Sequence, residues 1–135
     1  MKRYLVFSLA VSTAAAAEMQ VQNPWVRAAT GPNTAVYMHL NNTSNKDVHL
    51  TTVSSPVSAK VELHEIADQD GQKQMQEISA ISVPANGKVS LKPGDIHIML
   101  MGLQTPLTEG QEAVPLTLEF SNGEKVDLTV PVKAQ

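Results

Sequence analysis

The stretch AKVELHEIADQDGQKQMQEI, Ala59–Ile78, decides how this chain folds. Ala59, Val61 and Leu63 alternate with Lys60, Glu62 and His64, the two-residue period of a strand that buries one face. Asp70-Gly71 then marks a two-residue type I′ turn, because both central positions of that turn take positive φ and Asp-Gly adopts it readily. With those two residues at its centre the hairpin register is set: Glu77 opposes His64 and Met75 opposes Ile66. A slip of one residue would send Met75 to the opposite face, so the turn decides which side chains meet.

The same punctuation recurs on either side. Val36, Met38 and Leu40 alternate with Tyr37 and His39 before the turn cluster Asn41-Asn42-Thr43-Ser44-Asn45. Val48 and Leu50 lead to Ser54-Ser55-Pro56. Ile78, Ile81 and Val83 run to Pro84-Ala85-Asn86-Gly87, and Val89 and Leu91 to Lys92-Pro93-Gly94-Asp95. Ile96, Ile98 and Leu100 alternate with His97, Met99 and Met101, and two last strands around Leu116–Phe120 and Val126–Val132 flank Ser121-Asn122-Gly123. Many short strands at this spacing, with no segment of helical period between them, predict an all-β fold: a small Greek-key β-sandwich.

Met1-Lys2-Arg3, an apolar run from Tyr4 and the small residues Ala15-Ala16-Ala17 read as a secretory signal peptide over residues 1–17, leaving 18–135 as a single domain. The run is short and rich in small residues for a membrane span. With no cysteine in the chain there is no lipobox and no disulfide. Removal of Lys2 and Arg3 with the leader takes the formal charge from −3 to −5. An acidic domain whose aromatics are Trp25, Tyr37 and Phe120 is not expected to bind nucleic acid or an anionic membrane. No nucleophile–base pair, phosphate-cradling glycine loop or carboxylate pair stands out, so the chain does not read as an enzyme.

Parity singles out four residues. If Ala59, Val61 and Leu63 face the core, His64 lies on the other face, and the register places Met75 diagonally beside it. If Ile96, Ile98 and Leu100 face the core, His97, Met99 and Met101 point away from it. Methionines at two successive outward strand positions are unusual, since such sites ordinarily carry polar groups. Two imidazoles and two thioethers suit Cu(I), a soft d¹⁰ ion content with four neutral donors. The set lacks the thiolate of a blue-copper electron-transfer centre and the third imidazole or carboxylate of catalytic zinc. Ile66, Ile98 and Met101 are expected to form an apolar collar around it. On spacing alone a second reading stands equally: the methionines pack as gap fillers and the histidines decorate the surface.

The spacing breaks the tie. His64, ten intervening residues, Met75, twenty-one more, then His97-x-Met99 resembles the pattern of the PCuAC family of periplasmic copper chaperones. Trp25-Val26-Arg27, Ala35-Val36-Tyr37-Met38, Val61-Glu62-Leu63-His64-Glu65, His97-Ile98-Met99-Leu100-Met101-Gly102-Leu103 and Val114-Pro115-Leu116-Thr117-Leu118 also look like that family. The resemblance implies a cupredoxin-like β-sandwich and Cu(I) held by His64, Met75, His97 and Met99. It further implies delivery of copper in the periplasm to the CuA centre of a respiratory oxidase, often beside a Sco-type thiol protein. Two departures are visible. Glu65 and Ile66 stand where many members carry a methionine, and no His/Met-rich tail follows Val132-Lys133-Ala134-Gln135 to add a Cu(II) site.

Other residues carry less. His39 and His49 fall on outward positions and are read as solvent-exposed, with a weak Cu(II) contact as the alternative. Met38 has core parity. Met101 has the parity of the candidate ligands but no place in the pattern. Glu62, Glu65, Glu77 and Asp95 read as an ordinary solvated face, and Asp68 and Asp70 as turn residues without calcium-loop spacing. The competing functions are periplasmic copper buffering, a redox carrier and a metal-free interaction domain; the chain is expected to act as a monomer.

Overall fold

The computed structural model describes residues 18–110 and 113–134; the leader read over residues 1–17 lies outside them. Eleven strands form two sheets, and no helix of the described residues is long and apolar enough to cross a membrane. They are β1 (Met19–Arg27), β2 (Asn33–Asn42), β3 (Val48–Ser54), β4 (Ser58–Gln69), β5 (Gln72–Ile78) and β6 (Ile81–Val83). The rest are β7 (Lys88–Leu91), β8 (His97–Leu103), β9 (Val114–Phe120), β10 (Lys125–Val130) and β11 (Val132–Lys133). The larger sheet runs β11-β1-β2-β8-β4-β5, with β7 also paired to β2; the smaller runs β10-β9-β3-β6. Neighbours such as β2–β8 and β3–β9 are far apart in sequence, so the chain crosses repeatedly between the layers, as a sandwich requires.

Alternation builds the core. Val36, Met38 and Leu40 of β2, Leu63 of β4, and Ile98 and Leu100 of β8 face inward from the larger sheet. Val48 and Leu50 of β3, and Leu116, Leu118 and Phe120 of β9, meet them from the smaller one. Met38 is buried packing, as its parity implied. Two positions read as inward depart from that reading: Ala59 is exposed, and Val61 is only half-buried although it packs against the core. Ile98 lies in the core with no exposure, on the face opposite His97 and Met99, so it takes no part in the expected collar.

The β4–β5 hairpin has the register anticipated from its turn. Asp70 and Gly71 both adopt positive φ, 54° and 82°, and His64 pairs with Glu77 while Ile66 pairs with Met75. The pairing that sequence did not specify is β4 with β8. It runs antiparallel and places His64 directly opposite His97 and Glu62 opposite Met99. That register carries the site, because residues opposite one another in a ladder share a face.

Candidate metal centre

The outer face of the larger sheet forms rows across its strands. One row reads Trp25, Tyr37, His97, His64 and Glu77: Trp25 pairs with Tyr37, His97 with His64, and His64 with Glu77. The Tyr37 ring lies 6.3 Å from that of His97, and the His97 and His64 rings are 5.5 Å apart in an edge-on arrangement. Met99 stands in the next row on one side, between Ala35 and Glu62. Met75 stands in the next row on the other side, opposite Ile66. The thioethers therefore flank the imidazole pair from opposite ends. Met75, His97 and Met99 line one cleft of about 340 Å³ with Arg27, Tyr37 and Ile66.

Burial differs from what outward parity implies. His64 and His97 are only 8% and 4% exposed, whereas Met75 is 51% exposed. The outer face of β2 is itself covered: Ala35 and Tyr37 are buried, and the Trp25 ring lies 4.8 Å from that of Tyr37. His97 thus forms part of the floor of the cleft and Met75 its open rim, with His64 buried beside His97. Of the expected collar, Ile66 lines the cleft; Met101 pairs with Asn33 and Lys60, one row farther from the histidines. His39 and His49 lie apart, bound to the hydroxyls of Ser90 and Ser82.

The two rings are held in defined tautomers by groups that only accept. His64 Nε2 is 2.8 Å from a carboxylate oxygen of Glu62, so Nε2–H donates and Nδ1 keeps its lone pair. That Nδ1 is buried and has no hydrogen-bond partner. His97 Nδ1 donates to the Asp95 carbonyl at 2.8 Å, which leaves the lone pair on Nε2. A histidine fixed by a carboxylate or a carbonyl on one nitrogen, with the other free, is the arrangement of metal-ligating imidazoles. Burial holds the His97 imidazole below its ordinary pKa, opposed by the Asp95 hydrogen bond, with the neighbouring His64 and Arg27 adding smaller effects in the direction of burial. The neutral form, the one that binds metals, is therefore favoured.

Glu62 is the residue that sequence reading undervalued. Its carboxylate also takes the Lys60 ammonium at 2.9 Å, and the hydrogen bonds from Lys60 and His64 hold it below the usual carboxylate range. The signal was present, since a residue two before His64 on a strand shares its face. Arg27 was also missed: its guanidinium lies over the Tyr37 ring, 5.3 Å from the centroid, and its buried Nε has no partner. Among the described residues no group of three or more His, Cys, Asp or Glu converges.

Residues 19–132 match the family described as "Putative lipoprotein LpqE-like". The chain belongs to this LpqE-like, PCuAC-type family. A curated relative, "Putative lipoprotein Lxx21020" of Leifsonia xyli subsp. xyli, is 38% identical over 116 residues, covering 85% of this chain and 69% of its own. The solution structure of CuI-DR1885 from Deinococcus radiodurans is 28% identical and superposes with a TM-score of 0.68, over 92% of this chain and 86% of that one. The copper-bound PCuAC domain of PmoF2 is 23% identical with a TM-score of 0.74, over 87% and 94% of the two chains, a likeness of fold. The LpqE-like chain described above is accordingly a cupredoxin-like β-sandwich, as its strand pattern and its resemblance implied.

Proposed function

We propose that this LpqE-like protein is an exported copper metallochaperone that carries Cu(I) on His64 Nδ1, His97 Nε2 and the sulfurs of Met75 and Met99. The observation that carries the reading is the cross-strand His64–His97 pair, 5.5 Å apart, with each ring tied at one nitrogen and bare at the other. Thioethers flanking such a pair favour the cuprous ion over zinc. The relative solved in its CuI form supports the same cargo. All four donors are neutral, so each can leave without stranding a charge, and this suits transfer better than catalysis. The acceptor in this reading is the CuA subunit of a respiratory oxidase, with a Sco-type protein as a second partner. The compartment is the periplasm, reached through the leader at residues 1–17 that precedes the single domain 18–135; relatives named as lipoproteins accord with export.

The test is a reduced-copper titration with X-ray absorption that counts sulfur and nitrogen neighbours. One equivalent of Cu(I) with two sulfurs and two nitrogens is expected, and His97→Ala with Met99→Ala should abolish tight binding. Unchanged affinity in that double variant would refute the ligand assignment. Delivery is separated from buffering by oxidase activity and CuA content in a deletion strain grown at low copper. Normal values there would remove the delivery role.

A further inference from the structure

The Arg27 guanidinium is the unusual charge in this molecule. It lines the cleft beside His97 and Met99, its Nε is buried without a partner, and among the described residues no carboxylate forms an ion pair with it. A cation beside a site meant for a cation is costly unless the repulsion does something. The one carboxylate hydrogen-bonded to a ligand-set residue, Glu62, stands on the far flank and is already engaged by Lys60 and His64. Arg27 is therefore an uncompensated positive charge, held in place by its stacking on Tyr37.

We infer that Arg27 sets the oxidation-state preference of the copper site, its unpaired charge discriminating against Cu(II) in favour of Cu(I). The inference rests on the proposed His₂Met₂ copper site. Coulomb repulsion scales with the charge of the bound ion, so Arg27 opposes Cu(I) once and Cu(II) twice. The guanidinium lies 5.3 Å from the Tyr37 ring centre and that ring 6.3 Å from the His97 ring, which puts the charge no farther than roughly 12 Å from the His97 imidazole. At a separation of roughly 12 Å and an effective dielectric of about 20, each unit of charge changes a binding constant about tenfold. Arg27 then weakens Cu(I) binding about tenfold and Cu(II) binding about a hundredfold. The first effect keeps a cargo ion releasable; the second keeps the site from trapping oxidised copper in an oxidising compartment.

The direction of this effect separates it from a structural role, because removing the charge should tighten binding whereas damaging the site would loosen it. Arg27→Gln and Arg27→Met, two neutral side chains of different shape, are compared with the exported wild-type protein. Cu(I) affinity is read by competition with a chromophoric cuprous chelator, Cu(II) affinity with a cupric one, and the potential by voltammetry. Both variants are expected to bind Cu(I) about tenfold and Cu(II) about a hundredfold more tightly. Their potentials should fall by about 59 mV, the one-electron equivalent of a tenfold change in the ratio. An unchanged Cu(I)/Cu(II) ratio in either variant, or weaker binding of both ions, would overturn the role of Arg27. A wild-type protein that binds neither ion would instead overturn the copper reading on which it stands.

Discussion

Replacing Glu62 by alanine tests whether the site is organised in advance of its metal. The carboxylate accepts the His64 Nε2–H at 2.8 Å, and the two side chains are 15% and 10% exposed, so little water is at hand to take its place. Groups that orient a metal-bound histidine typically contribute about 10–100-fold in affinity; because this hydrogen bond already exists without the ion and Glu62 is partly exposed, Glu62→Ala should weaken Cu(I) binding by the lower end of that range, about tenfold. Glu62→Gln keeps a carbonyl acceptor and loses the charge, so its loss should be smaller. Lys60→Ala removes only the 63%-exposed partner of Glu62 and should change affinity less than about threefold. Affinity is measured against a chromophoric cuprous chelator. The apo proteins are examined by long-range ¹H–¹⁵N correlation at the imidazole nitrogens, where wild type should show the Nε2–H tautomer of His64 and Glu62→Ala a mixture. Wild-type affinity together with an undisturbed tautomer in Glu62→Ala would refute the reasoning.

Three further outcomes follow from particular contacts. Saturation with Cu(I) at about a thousand times Kd should stabilise the fold by about 4 kcal/mol, seen as a higher Tm in the fluorescence of Trp25, the one tryptophan, whose ring stacks toward Tyr37 and the site; no shift would count against a tight site. Gly102→Ala should destabilise by about 2–4 kcal/mol in urea unfolding, since its Cβ would lie 2.8 Å from that of Ala59 at a φ of +72°; a wild-type midpoint would contradict that crowding. Burial lowers the folded-state pKa of His97, so the apo protein's stability is complete above the unfolded value of about 6.5 and declines as pH falls through the folded value; His97→Asn should flatten that part of the profile, and an equal slope in both proteins would refute the assignment.

How much of this was legible beforehand depends on the range over which each feature is encoded. The β4–β5 hairpin is local: Asp70-Gly71 dictates the turn, the turn dictates the register, and the register puts Met75 on the face of His64. The shared parity of His97 and Met99 is equally local. The pairing of β4 with β8, which brings His64 against His97, joins segments some thirty residues apart and leaves no mark in the alternation of either strand; only a shared ion for the two histidines was implied, and that through the resemblance. Burial was the larger error in reading. Alternation predicts which side chains leave the core, but not whether something else covers them. Here Trp25 and Tyr37, brought side by side by the β1–β2 ladder after a bulge between Gln22 and Trp25, shelter the outer face beside His97, and the imidazoles expected at the surface are buried. Glu62, read as one of several solvated acids, accepts from a buried ring, and Arg27, lying over Tyr37, cannot turn its charge wholly to water. Sequence period thus puts the four candidate side chains on one face, whereas what covers that face is set by β1 and β2, which carry none of the four. On the proposed copper reading, a chain with the same four side chains but without Trp25, Arg27 and Tyr37 would keep the cross-strand register of the histidines and lose the unpaired charge proposed to set one copper oxidation state against the other.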